Sequence, residues 1–171
     1  MAAFNKILFS LLVASLQQIT TADVCPVTWI PWGRSCYRFE INDEQKLTWE
    51  NAEDRCNHLG RRSHLASIHS AEEQEFIYEV FSLRFRSCGT PEYDNWWQPT
   101  LYIGLRVGYK SSDLSWSDGS RVDYKNWFQG EPNNFPNSAG QVSAGELTGG
   151  RWVDAARPNS YADYYVCKMS Q

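Results

Sequence analysis

Five cysteines set behind an apolar leader constrain this 171-residue chain more than any other feature. The leader comes first. Lys6 supplies a short positive region, Ile7 to Leu16 is an apolar run too short to span a membrane, and Thr20-Thr21-Ala22 offers a small-residue cleavage site. Residues 1–22 therefore read as a secretory signal peptide, and residues 23–171 as one domain. No second apolar run of spanning length follows, so the expected product is secreted and extracellular, with no membrane span. Cysteines pair in an oxidising compartment. Five cannot all pair within one chain, so at least one is left over.

Removal of the leader leaves 149 residues (171 − 22), enough for a single domain with its own core. The net charge of −4 becomes −5 without Lys6. That mild acidity argues against a nucleic-acid partner. No Asn-x-Ser/Thr sequon is present, so N-glycosylation is not expected.

Local pattern gives an α+β chain. Cys36-Tyr37-Arg38-Phe39 alternates and reads as a strand. From Thr48 to Leu59, the residues Trp49, Ala52, Cys56 and Leu59 form one stripe at helical spacing, with Thr48 as N-cap and Gly60 as stop. Ser70-Ala71-Glu72-Glu73 is a capping box, opening a second helix with Phe76, Ile77, Val80 and Phe81 turned inward. Leu101 to Val107 reads as one central strand, and Leu65 to Ile68 as a buried segment between His64 and His69. Two helices ahead of short strands suit α+β rather than an alternating parallel sheet. Residues 84–100 carry no clear period; Arg84 and Arg86 read as a solvated face. Trp96-Trp97 either packs onto its loop or offers aromatic faces to sugar C–H groups.

The stretch Asn126-Trp127-Phe128-Gln129-Gly130-Glu131-Pro132-Asn133-Asn134 carries the chemistry. A carboxylate and an amide flank a proline, which fixes φ and removes a donor. Glu131 and Asn133 can then be held with converging oxygens, the ligand type Ca2+ prefers. Beside a bound cation the same pair offers an acceptor and a donor to a diol.

This stretch belongs to a longer series. Cys25-Pro26, Trp29, Trp32, Cys36-Tyr37, Trp49-Glu50-Asn51-Ala52, Cys56 and His64-Leu65-Ala66-Ser67-Ile68-His69-Ser70 resemble the first half of a C-type lectin-like domain. Ile103-Gly104-Leu105, Trp116-Ser117-Asp118-Gly119, Glu131-Pro132-Asn133, Gly150-Arg151-Trp152-Val153-Asp154 and Tyr165-Val166-Cys167-Lys168 resemble the second half. The resemblance runs from Cys25 to Lys168. It implies a C-type lectin-like fold, with two helices, small antiparallel sheets and a long loop region, and disulfide bridges Cys25–Cys36 and Cys56–Cys167. A further bridge usual in the family would need cysteines near Ser143 or Ala144 and near Arg157; its loss should loosen residues 138–160. Cys88 is then the odd thiol. It sits in Ser87-Cys88-Gly89-Thr90-Pro91, a surface loop by composition, and is either a capped or buried thiol or the link in a disulfide-bonded dimer. At the positions of Trp116, Trp127 and Trp152 the family uses tryptophan as core.

The resemblance also implies a Ca2+ site that doubles as a sugar site. Glu131, Asn133, Gln141 and Asp154 are its expected metal and carbohydrate ligands, in the mannose-type arrangement. Two positions depart from the family. Gln141 stands where Glu is usual, with Glu146 a nearby substitute in another register, and Val153 replaces an Asn, removing a side-chain oxygen. Catalysis is not expected. No His-Glu-x-x-His, no Cys/His zinc spacing and no Gly-x-Ser-x-Gly elbow occurs. The expected function is a secreted carbohydrate-recognition protein for extracellular or microbial glycans, with Ca2+-dependent binding of mannose-type sugars as in innate immune recognition. The rival is a Ca2+-independent protein-binding or matrix module with a degenerate metal site.

Overall fold

The computed structural model describes residues 25–41, 47–86, 100–108, 110, 112–133, 141–145, 150–155 and 162–170. Residues 1–22, expected as a signal peptide, and Cys88, Trp96, Trp97, Glu146 and Arg157 lie outside them, and for Gln141 and Arg86 the backbone alone is described.

Both helices begin where the chain supplies a cap. Thr48 is extended and its hydroxyl accepts from the Asn51 N–H at 3.3 Å, so α1 runs Trp49–Leu59. Its buried residues are Trp49, Ala52 and Cys56, the expected stripe, and an extended Gly60 closes it. Helix α2 spans Ala71–Arg86. Ser70 Oγ accepts from the Glu73 N–H at 3.1 Å, the first half of the capping box. The second half is displaced. Glu73 Oε2 accepts from the His69 N–H at 2.8 Å, one residue before the cap, because its other oxygen is engaged in the core. Ile77 and Phe81 are buried, while Phe76 and Val80 pack half-buried at the rim. Arg84 is not simply solvated: its guanidinium donates to the Phe39 carbonyl at 3.2 Å.

The strands are β1 Ile30–Trp32, β2 Ser35–Ile41, β3 Ser63–Leu65, β4 Thr100–Tyr102, β5 Leu105–Val107, β6 Leu114–Trp116, β7 Gln141–Gly145, β8 Trp152–Ala155 and β9 Tyr164–Ser170. Seven of them form one sheet with path β1-β2-β9-β4-β7-β8 and β3 also on β9; β5 and β6 form a separate pair. The sheet is thus larger than expected, and not wholly antiparallel, since β4 runs parallel to β9. Strand β9 is its axis. β2 pairs along all of it, from Ile41–Tyr164 to Ser35–Ser170. β4 and β3 share its other edge.

The single strand expected from Leu101 to Val107 is broken at Ile103-Gly104. Gly104 donates to Ala66 O and accepts from the Ser117 N–H, each at 2.9 Å. A Cβ there would stand 2.4 Å from the Leu65 carbonyl oxygen. Only glycine lets the chain pass that close and turn from one sheet to the other.

Both expected disulfides form. Cys56–Cys167 ties α1 to β9 across 111 residues. Closing so long a loop stabilises by about 4–5 kcal/mol in the chain-entropy account. Ser143 and Ala144 lie in β7, held by backbone pairing to β4 and β8.

One polar cluster crosses this core. Lys168 of β9 is 7% exposed, and its ammonium donates to Glu73 Oε1 at 2.6 Å and to Ser67 O at 2.9 Å. The buried Tyr37 hydroxyl donates to the same Glu73 oxygen. Burial, and then the Glu73 carboxylate, push that hydroxyl far above the usual phenol range, so it stays a donor. Strands β2 and β9, helix α2 and the segment before it are joined at one carboxylate. Glu73→Ala strands the Lys168 ammonium in the core and should cost about 3–5 kcal/mol. The double change Glu73→Ala, Lys168→Met should cost less than the single one. Urea unfolding of both variants checks this; a single-variant loss under about 1 kcal/mol would mean the ion pair is not structural.

Candidate functional site

Trp152 opens β8 and is fully buried. Three aromatic rings meet it edge-on: Trp116 at 5.6 Å, Trp127 at 5.7 Å and Tyr124 at 5.8 Å between centroids. The indole N–H donates to Gln74 Oε1 at 2.7 Å. The Trp152 backbone is used as well. Its N–H donates to Asn126 O, and its carbonyl accepts from the Phe128 N–H, both at 2.8 Å. The loop is thereby laid against β8 as a one-residue parallel bridge, Trp127 to Trp152.

From that anchor the loop folds back. The Glu131 N–H donates to Phe128 O at 3.0 Å, and Gly130 takes φ +91°, a value that favours glycine at the third place of such a turn. The Glu131–Pro132 bond is cis. Asn133 then meets both carboxylates. Its backbone N–H donates to Asp154 Oδ1 at 2.9 Å and to Glu131 Oε2 at 3.2 Å, and its Nδ2 donates to Glu131 Oε1 at 2.8 Å. Asp154 is buried, two residues beyond Trp152.

Three of the four expected ligands, Glu131, Asn133 and Asp154, are thus brought together by two elements distant in sequence. The fourth is placed by its backbone alone. Gln141 pairs with Ala155, one step along the ladder from the Val142–Asp154 pair. Val153 lies opposite Ser143 and is half-buried.

The electrostatics suit a cation. Burial, then the adjoining Asp154 carboxylate, hold the Glu131 carboxyl above the usual carboxylate range. The Glu131 and Asp154 carboxyls lie close enough to interact directly, and the Asn133 N–H donates to both. A hard divalent ion would relieve that repulsion, and carboxylate and amide oxygens are its preferred donors. Among the described residues no group of three or more His, Cys, Asp or Glu side chains could hold a metal. The set is therefore two carboxylates and one amide. It fits Ca2+ if ligand hydroxyls or water complete the six to eight oxygens such an ion takes.

A second grouping has the outline of a catalytic triad and does not work as one. His69 Nδ1 meets Asp123 Oδ1 at 2.7 Å, and its Nε2 meets Ser67 Oγ at 3.1 Å and Ser120 Oγ at 3.2 Å. Both hydroxyls donate instead to Asp118, each at 2.5 Å. Each hydroxyl proton points at Asp118 rather than at the His69 imidazole.

Sequence reasoning missed Gln74. Its amide Nε2 donates to Gly150 O at 2.9 Å while Oε1 accepts from Trp152. The available signal was a polar residue on the inward stripe that continues through Ile77 and Phe81.

Residues 45–169 match the family model described as the lectin C-type domain. The beta subunit of snaclec bothrojaracin from Bothrops jararaca is 32% identical over 169 residues, covering 99% of each chain. The low affinity immunoglobulin epsilon Fc receptor of Mus musculus is 34% identical over 88% of this chain, a match spanning 38% of the receptor. Among solved structures, the C-type lectin CEL-I from Cucumaria echinata superposes with a TM-score of 0.69 at 32% identity, covering 85% of this chain and 97% of that one.

The raised Glu131 carboxyl sets a sign for stability. An acid whose folded pKa lies above its unfolded value stabilises below the unfolded value and loses that contribution as pH rises through the folded one. At neutral pH the metal-free pair therefore weakens the fold, and Ca2+ should offset it. Ca2+ at a hundredfold excess over Kd should stabilise by about 2.7 kcal/mol, roughly 5–10 °C in Tm for a domain of this size. The shift should shrink as pH falls into the range where Glu131 is protonated. Glu131→Gln should leave the metal-free Tm unchanged or higher and abolish the Ca2+ shift. Thermal scans of both proteins decide it; a Ca2+ shift retained by Glu131→Gln contradicts the site.

Proposed function

The chain belongs to the C-type lectin domain family, and from that premise we propose that it is a secreted carbohydrate-recognition protein binding mannose-type sugars through Ca2+. The family is one of lectins, not enzymes. The convergence of Glu131, Asn133 and Asp154 carries the reading. Ca2+, when bound, would supply open coordination positions for two vicinal sugar hydroxyls. The chain's own groups do the rest. The carboxylates of Glu131 and Asp154 accept from those hydroxyls, and the Asn133 amide donates to one of them. Gln141 is proposed as a neutral oxygen donor in place of the usual carboxylate. The donor–acceptor order along Glu131-Pro132-Asn133 favours a mannose-type diol.

Residues 1–22 are taken as the signal peptide and residues 23–171 as the mature extracellular domain, acting on extracellular or microbial glycans in the manner of innate immune recognition. Among the described residues no helix is long and apolar enough to cross a membrane. A dimer linked through Cys88 would raise avidity for repeated glycans.

One observation favours a second reading, a Ca2+-independent protein-binding or matrix module. Val153 offers no side-chain oxygen where the family pattern has an Asn, which lowers the ligand count. A glycan panel probed with and without EDTA separates the two. Mannose-type binding abolished by EDTA supports the lectin; retained binding, or none, favours the rival. Asn133→Asp removes the amide donor. It should weaken mannose binding by roughly tenfold to a hundredfold, the cost of leaving a sugar hydroxyl oxygen without its donor (about 1–3 kcal/mol), and unchanged sugar selectivity would count against the site.

A further inference from the structure

We propose that Gln74 is the positioning residue of this cation site, setting Glu131 and Asp154 in register through Trp152 without touching either. The inference rests on the cation-site reading above. Gln74 is 6% exposed and lies on the inward face of α2. Its amide spans two groups of the same segment: Nε2 donates to Gly150 O at 2.9 Å and Oε1 accepts from the Trp152 indole at 2.7 Å. Only this amide orientation serves both, since a carbonyl cannot donate and an indole cannot accept.

The close approach is built in. Gly150 takes φ +77°, and a Cβ there would stand 3.0 Å from the Tyr78 ring and 3.1 Å from Gln74 Nε2. Asn126 Nδ2 donates to the same Gly150 carbonyl at 3.4 Å, so the start of the ligand loop converges on the atom that Gln74 holds. Trp152 is then pinned at its ring by Gln74 and at its backbone by Asn126 and Phe128. Asp154 follows two residues after Trp152, and Glu131 three after Phe128. Rotation or withdrawal of the indole would move both carboxylates relative to each other. A short polar side chain on a helix that carries no ligand therefore sets the distance between the two charges that meet the ion. Groups that hydrogen-bond a metal ligand from behind change metal affinity by about 10–100-fold when removed, and Gln74 reaches the two carboxylates one residue further back, through Trp152.

The test compares Gln74→Met, which fills the space but loses both hydrogen bonds, with Phe81→Leu, a core change on the same helix at a ring that packs on Tyr164 of β9. Gln74→Asn, too short to span both groups, serves if the Met variant does not fold. Two readings are taken: Ca2+ affinity by calorimetry, and amide hydrogen exchange in the metal-free proteins at Phe128, whose N–H is bonded to Trp152 O. The expected result for Gln74→Met is a 10–100-fold loss of Ca2+ affinity with faster exchange at Phe128. Phe81→Leu should lower Tm with Ca2+ affinity within about twofold of the unaltered chain, because it leaves both Gln74 hydrogen bonds in place. Equal affinity loss in both variants, or unchanged Phe128 exchange in Gln74→Met, overturns the positioning role alone. No Ca2+ uptake by the unaltered chain overturns the cation site and this inference together.

Discussion

The placing of the loop against β8 depends on the way Trp152 is held. A tryptophan ring is large enough to be surrounded on several sides, and here Trp116, Tyr124 and Trp127 meet it edge-on. Edge-to-face packing is directional, so it settles the ring's tilt as well as its burial. The indole N–H must also find an acceptor once it leaves water, and Gln74 provides it. With the ring fixed, its backbone N–H and carbonyl become docking points for residues 126–128. That bracing holds Glu131 of the loop beside Asp154 of β8 against the repulsion of two like charges.

Stability and function draw on different parts of the molecule. The axis of the fold is β9, fastened to β2, β3 and β4 by backbone pairing, to α1 by Cys56–Cys167 and to α2 by the Lys168–Glu73 pair. None of these elements contributes a proposed ligand. The proposed ligands come from the loop after Trp127, from β8 at the far edge of the sheet path, and from Gln141 on the neighbouring β7. That separation means that departures such as Val153 and Gln141 leave the fold beneath them unaffected. It also explains why membership of the family does not by itself say whether the ion is bound.

The sequence made much of this legible, for reasons that differ by residue. Thr48, Ser70 and the stripe of Trp49, Ala52 and Cys56 are local signals, and both helices start at the caps they announce. The disulfide pairing and the grouping of Glu131, Asn133 and Asp154 came through resemblance, because no spacing rule places residue 154 beside residue 131. The break at Gly104 was hidden in a strong apolar run: what interrupts it is the Leu65 carbonyl, 39 positions earlier (104 − 65). Glu73 read as a capping residue and turned out to serve the core, since Lys168 and Tyr37 reach it from strands that the local pattern does not reveal. Gln74 lay on the inward face of α2 in plain sight, but its partners Gly150 and Trp152 are more than seventy positions away.

The proposed cation site stands on the loop and β8, without the oxygen that an asparagine at position 153 would supply. Calorimetric titration of the mature chain with Ca2+, in the absence of any sugar, tests it most directly. A single site saturating at or below about 1 mM, the range of extracellular Ca2+ modules, is the predicted result. No heat of binding at several times that level, about 5 mM, would mean that Glu131, Asn133 and Asp154 converge without holding an ion.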